Sequence, residues 1–426
     1  MNHLSFHKFA WYVAILFPPM ANLWGNFSVG QRVFHAGIVL LLGMLLLVKV
    51  KSADVMIRKP ILHCTIFALF VSAYFTATSL VNSALIGSGD IVEFIRPINY
   101  LVYFLFPVLL VLHRDDYKGL FKAFIVLMVV QVVFSFFVFI PEAWPIVDLY
   151  KGRLSTDLVQ FHFFRFSGML GYPSDFSFYL IFALLMGSLY LLNEQSLKNK
   201  LGLGCLCLIA MLALFLTGSR SGVALFVVLF SILLFSHRLI LNSKVLFLSI
   251  ALVVVMFYVI INDLLSENIL GSFLYLLDLI ERGVMDDSAR HRIREFLLAI
   301  ELMQDYFPFG FGANKDYFGF VLGPVESTYG YYMGKYGFIG ICLYLFHIFY
   351  LAYIALQVSK RYRDDQLIVA FSNAFFIWAL SVPFVFGFAS AVTDRFKGPF
   401  LFYMLAGYLM SLYLASERSD KNDSPV

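Results

Sequence analysis

Long apolar runs separated by short polar stretches dominate the pattern along the chain. Runs long enough to cross a bilayer as helices, about 20 residues each, fall at 9–25, 33–50, 60–82, 91–113, 119–140, 174–192, 201–217, 222–237, 244–262, 336–357, 368–389 and 398–416. The pattern predicts an all-α polytopic membrane protein with about 12 transmembrane helices, forming a single transmembrane domain over residues 1–426. Two polar connections are long, 141–173 and 263–335. In the second, the stretch from Arg290 to Gln304 has helical spacing, with Arg290 and Arg294 sharing a face and Phe296, Leu297, Ile300 and Met303 supplying the apolar side. Such a helix lies on the membrane surface, its charges either solvated or gathered for a ligand.

Composition agrees with the pattern. Hydrophobic residues make up 61% of the 426 and charged ones 14%, with a mean hydropathy of +0.83, far above what a water-soluble core needs. The cations then set the orientation, because Lys and Arg in short loops stay on the cytoplasmic side. Lys49, Lys51, Arg58 and Lys59, then Arg114, Lys118 and Lys122, then Lys198 and Lys200, Arg238 and Lys244, and Lys360, Arg361 and Arg363 all fall on one side. The alternate short connections hold only Arg32, Arg220, Arg395 and Lys397. Both termini are therefore expected in the cytoplasm, with 141–173 as the first outer loop and 263–335 as the large outer loop. The first run has no small-residue cleavage site and reads as an uncleaved anchor. Cys64, Cys205, Cys207 and Cys342 all lie inside apolar runs, which implies neither a disulfide nor a zinc framework. The net charge of +4 reflects the cytoplasmic loops and contact with anionic membrane lipids, and no nucleic acid is expected as a partner.

Several local features stand out. Pro18-Pro19 should kink the first span. Glu93 and Arg96, three apart on one helical face, form either a structural pair or one wall of a polar cavity. The aromatic stretch Phe161 to Phe166 reads as an interfacial anchor with Arg165 as its unusual member. After it, Pro173 stops the loop, and Ser174 or Asp175 can cap the next helix. Thr217-Gly218-Ser219-Arg220-Ser221-Gly222 forms a tight connection that exposes backbone N–H groups and holds one guanidinium, suited to a phosphate or to a snorkelling arginine. Gly330, Gly334, Gly337 and Gly340 make a smooth stripe for close helix packing, and Glu326 stands at the outer start of that helix, where the dipole favours a carboxylate in any case.

The chemistry narrows by exclusion. There is no G-x-x-x-x-G-K-[ST] loop and no G-x-G-x-x-G following a strand, so neither a nucleotide-driven pump nor a dinucleotide cofactor is indicated. The histidines lack metal-ligand spacing and the outward loops carry no Asp-x-Asp pair, so neither a metal nor any other cofactor is expected. What remains is an outward site with Arg165, Arg220 and Arg290 as candidate anion clamps and Glu326 as the carboxylate placed to accept a proton.

The order of motifs is that of a known family. Arg165-x-x-Gly168 with Pro173, then Thr217 to Gly222, then Ser288-x-Arg290, then Pro308-x-Gly310-x-Gly312, then a polar residue eleven positions before Gly337-Phe338-Ile339-Gly340 resembles the O-antigen ligase and O-antigen polymerase (Wzy-type) superfamily of bacterial envelopes, over roughly residues 90 to 345. The resemblance implies a metal-independent glycosyltransferase of the GT-C type in the bacterial inner membrane, with the large loop periplasmic. Its donor and acceptor would be glycans linked to undecaprenyl diphosphate, and a chain-length regulator protein is a further partner of such enzymes. Carried onto this chain, the diphosphate-binding arginines match Arg220 and Arg290, joined by Arg165, with Arg294, Ser219 and Ser327 as supporting residues. Ligases of the family begin the last of these helices with His and a small polar residue, whereas Glu326-Ser327 stands here, which looks more like a polymerase of O-antigen or capsule-type polysaccharide. An O-antigen ligase acting on lipid A core is the alternative enzyme. A flippase or other transporter is the alternative from a different class, disfavoured because the charges cluster outward and the largest loop lies in one half only.

Overall fold

The structure is a computed structural model and describes residues 59–81, 88–110, 116–151, 165–170, 172–193, 196–236, 287–312, 325, 327–387 and 398–422. Among these the chain is helical and contains no strand. The α-helices are α1 (Lys59–Val81), α2 (Ser88–Leu110), α3 (Asp116–Phe136), α4 (Trp144–Lys151), α5 (Pro173–Asn193), α6 (Leu197–Leu216), α7 (Arg220–Ser236), α8 (Asp287–Asp305), α9 (Thr328–Arg361), α10 (Gln366–Ser381) and α11 (Gly398–Asn422). Nine of the expected spans correspond to helices; those at 9–25, 33–50 and 244–262, with the kink at Pro18-Pro19, lie outside the described residues. By length and composition five helical segments can cross a membrane: Pro173–Leu192, Lys198–Leu216, Thr328–Arg361, Gln366–Phe386 and Pro399–Ser416. A sixth is added if Ala123–Phe139 and Pro141–Val147, bent by 115°, form one broken span. These are the helices of a multi-pass membrane protein.

The chain divides into two compact units, Met1–Leu127 with His291–Val426, and Met128–Arg290. In the first, α11 packs along α2, α1 along α2, and α9 along α10. Gly407 permits α11 to approach α2 closely, because a Cβ there would run into the Phe104 carbonyl. Its core is aromatic: Trp378 and Phe375 of α10 meet Phe402 of α11 at centroid distances of 5.1 and 5.6 Å, and Phe371 meets Tyr408 at 5.1 Å. Outward-turned apolar side chains such as Ile66, Phe346 and Phe384, each more than half exposed, suit a lipid-facing perimeter better than water.

The glycines of α9 do not form the smooth stripe expected from their spacing. Gly337 has φ 63° and ψ −160°, which breaks the helix. Its break receives the turn that follows α8: the Phe311 and Gly312 N–H groups donate to the Gly334 and Lys335 carbonyls (3.1 and 2.7 Å), and the Ile339 N–H donates to the Pro308 carbonyl (3.3 Å). The Tyr74 hydroxyl from α1 reaches the carbonyls of Phe309 and Tyr336 at 3.0 and 2.9 Å. Polar groups freed by the break thus find protein partners, as an interrupted helix near a membrane requires. Gly310 (φ 76°) and Gly337 lie backbone to backbone, and a Cβ on either would strike the other. Pro308-x-Gly310-x-Gly312 and Gly337 are therefore two halves of one joint. Residues 338–361 beyond it run for about 36 Å, enough to cross the hydrocarbon core. We expect Gly337→Ala to cost about 1–3 kcal/mol from its backbone conformation alone, with more from the collision, measured as a lowered Tm of the detergent-solubilised protein.

The second unit is built on α5, whose Phe176, Phe178, Tyr179 and Phe182 are fully buried and which packs against α6 and α7. The apolar run at 119–140 ends as a helix at Phe136, passes through two 3₁₀ turns at Phe137–Phe139 and Pro141–Ala143, and bends into the short helix α4. Part of the first expected outer loop is therefore helical. Pro141 accounts for the corner, since it fits a helix only at the first turn.

Candidate functional site

The segment Thr217 to Gly222 is a capped corner between two helices. Gly218 (φ 58°) closes α6, its N–H donating to the Phe215 carbonyl at 2.9 Å, and takes the left-handed conformation that glycine adopts without penalty. Ser219 is the N-cap of α7: its hydroxyl accepts from the Gly222 N–H at 3.3 Å. Gly222 has no room for a Cβ, which would meet the Ser177 side chain of α5 at 2.7 Å. The Ser177 hydroxyl lies 2.8 Å from the Ser174 carbonyl and 3.1 Å from the Ser219 hydroxyl. Ser174 and Asp175, expected as caps, sit inside the first turn of α5, which starts at Pro173, and Asp175 is fully buried.

Arg165 is brought to the same corner. Its Nε and Nη2 groups each donate at 2.8 Å, to the carbonyls of Thr217 and Gly218, while the Phe166 N–H donates to the Leu216 carbonyl at 2.9 Å. Three carbonyls at the end of α6 are thereby satisfied, and a cation sits at the negative end of the helix dipole. The other side of the segment is held by α3: the Ser135 hydroxyl accepts from the Gly168 N–H at 3.0 Å, and the Gln131 side-chain oxygen accepts from the Met169 N–H. Gly168 (φ 53°) must be glycine, because a Cβ would occupy the place of that oxygen. Arg165-x-x-Gly168 is thus a clip that fixes the Arg165 guanidinium at the corner from which α7 starts with Arg220. Burial, and then the neighbouring Arg220 charge, pull the Arg165 pKa down from its usual value to about 10, so Arg165 remains cationic at neutral pH. Two like charges within electrostatic reach of each other at the end of a helix hairpin favour an anion near them.

In the first unit the start of α9 is assembled around a carboxylate that sequence reasoning passed over. Ser327 is the N-cap, its hydroxyl accepting from the Gly330 N–H at 2.9 Å. The Glu295 Oε1 of α8 accepts from both the Ser327 N–H (3.1 Å) and the Ser327 hydroxyl (2.6 Å). Glu295 is only 1% exposed, and its oxygen fills the space a Cβ on Gly330 would need. The buried line of α8 is Glu295, Ala299 and Leu302, at spacings of four and three, whereas Leu297 is 59% exposed. The face expected to be apolar is therefore rotated by about one residue, and a carboxylate lies in the buried stripe. Lys335, in the glycine-rich part of α9, is also buried, with its Nζ 4.6 Å from the Tyr331 ring centre.

The sequence candidates thus fall into groups. Arg165, Ser219 and Arg220 come together in one corner, and Ser327 joins Glu295 at the start of α9. Arg290 and Arg294 both stand on α8 with exposed side chains. Glu326 lies outside the described residues, as do the side chains of Glu93 and Arg96. Among the described residues, no three His, Cys, Asp or Glu side chains are grouped so as to hold a metal ion. No protein-family model matches the chain, and no curated protein matches it significantly.

Proposed function

We propose that the protein is a metal-independent glycosyltransferase of the GT-C type that polymerises undecaprenyl-diphosphate-linked repeat units into O-antigen or capsule-type polysaccharide. It would do so at the outer face of the bacterial inner membrane, with about 12 spans, both termini cytoplasmic and the loops 141–173 and 263–335 outside. The observation that carries this reading is the Arg165–Arg220 corner, where a hydrogen-bonded guanidinium lies within electrostatic reach of a second arginine at the end of a hairpin of two apolar helices, an arrangement suited to the diphosphate of a lipid-linked donor. In the reaction an acceptor hydroxyl oxygen attacks the anomeric carbon of the donor glycan. The bond from that carbon to the diphosphate oxygen breaks, and its electron pair leaves with the diphosphate. Arg220 and Arg290 stabilise the charge that accumulates there, which is greater in the transition state than in the ground state. Arg165 adds charge and holds the corner, since two of its N–H groups are engaged with carbonyls. Glu326 takes the proton of the attacking hydroxyl, and a single displacement of this kind inverts the anomeric configuration.

The test is direct. Purified protein supplied with undecaprenyl-diphosphate repeat units should give a ladder of growing chains. Transfer to lipid A core without chain growth would make the protein a ligase instead, and a cysteine placed at Ser288 that an impermeant reagent reached only from the cytoplasm would put the loop on the wrong side for this chemistry.

A further inference from the structure

We propose that the cavity enclosed by α1, α2, α9 and α11 is a binding site for an uncharged flat ring bearing a carbonyl or hydroxyl group, the chemistry of a lipid-soluble quinone or quinol. Glycosyl transfer neither requires such a site nor explains it. All four helices belong to the first unit, where the rings of Phe67, Tyr100, Phe104, Tyr332, Tyr344 and Tyr403 line the cavity together with His347. Its volume is about 50 Å³, and a single water needs roughly 10–15 Å³, so it admits a group of several heavy atoms.

The walls are aromatic and stacked, with Tyr332 on Tyr344 at a centroid distance of 4.4 Å and Tyr100 on Tyr403 at 4.7 Å, so they offer flat π faces to a ring. His347 is the polar member of the lining and is only 8% exposed. Its ring stacks on Phe67 at 4.6 Å with the planes 7° apart, and on Tyr403 at 5.7 Å with the planes 23° apart. Ring faces make both contacts, which leaves the edge that carries the nitrogens, and among the described residues no hydrogen bond reaches either nitrogen. A neutral imidazole has one N–H to donate and one nitrogen to accept, and a buried polar group without a partner costs free energy. A plain hydrocarbon chain in the cavity would leave that cost in place, whereas a carbonyl or hydroxyl on the ligand removes it.

Depth decides the charge of the ligand. His347 lies beyond the break at Gly337 by about 15 Å of helical rise, well inside a hydrocarbon core about 30 Å thick. A ligand that reaches it through the bilayer is therefore uncharged. Flat shape, lack of charge and a hydrogen-bonding group together describe a quinone or quinol ring. The site holds the ring, and no electron transfer is implied.

Duroquinone is a suitable probe, because durene is the same methylated ring without the carbonyls. Radiolabelled duroquinone is equilibrated with lipid nanodiscs carrying the full-length protein and with nanodiscs of the same lipid alone, so that partitioning into lipid is subtracted. The protein should show a saturable excess of about one ring per chain, and durene should displace it about three- to tenfold less well, the worth of one hydrogen bond. His347→Phe keeps a flat ring in the stack and removes the nitrogens, and should bring the two ligands to equal affinity. Ala68→Phe on α1 and Leu343→Trp on α9 both fill the cavity, and each should abolish the saturable component in protein that still melts near the wild-type Tm. Where a filler lowers the Tm, the His347→Phe comparison decides by itself. Absence of a saturable excess, an excess that survives both fillers in folded protein, or durene binding the wild type as tightly as duroquinone would overturn the proposal. Displacement by hexadecanol at lower concentration than by duroquinone would make the cavity a lipid-chain site and overturn it equally.

Discussion

Glu326→Gln is expected to lower polymer formation roughly 10²–10⁴-fold, the range associated with loss of a general base. The substitution keeps the size of the side chain and its capacity for hydrogen bonds, and removes only the ability to take a proton. A carboxylate that served only the helix dipole would contribute at most about 1 kcal/mol to stability, so the glutamine variant would then make polymer at nearly the normal rate. Chain length resolved on gels from purified protein and lipid-linked repeat units separates the two outcomes. Activity near the wild-type level would remove Glu326 from the mechanism.

Arg220→Ala is expected to slow turnover about ten- to a hundredfold or more, because a charge-assisted contact to a phosphate contributes on the order of 1.5–3 kcal/mol. Arg290→Ala should have an effect of the same kind. Lysine at either position restores the charge without the planar fork and should rescue only partly. Arg165 behaves differently in this account. Its guanidinium closes the end of α6 through two 2.8 Å hydrogen bonds, so Arg165→Ala should lower the Tm as well as the rate. Rates and melting temperatures measured on the same purified variants distinguish the two roles. Wild-type polymer from normally folded Arg220→Ala and Arg290→Ala proteins would rule out the diphosphate clamp.

The helices themselves were legible from hydropathy alone, because a membrane chain must satisfy its backbone within each apolar run. Runs such as 174–192, 201–217 and 398–416 became α5, α6 and α11 with ends moved by only a few residues, except at the polar end of α11. The corner at Thr217 to Gly222 was also visible, because glycine and serine between two apolar runs carry their own turn and cap chemistry.

Other features depended on contacts between distant parts of the chain. Periodicity placed Gly337 in a stripe of small residues, and only the arrival of the Pro308 to Gly312 turn makes it a break, since the released carbonyls are satisfied by N–H groups from that turn. Arg165 looked like a ligand-binding cation, yet two of its N–H groups are directed to carbonyls some fifty residues later in the chain. Glu295 was hidden because a carboxylate on an amphipathic helix is ordinarily solvated, and its burial follows from a partner 32 residues away that pattern along the chain does not encode. Among the described residues, the sequence by itself determined the helices of a multi-pass membrane protein and turns such as Thr217 to Gly222, which are local consequences of solvent and backbone geometry. The tertiary structure decided which polar side chains fasten those turns together, because a hydrogen bond between segments exists only once packing has brought donor and acceptor within reach.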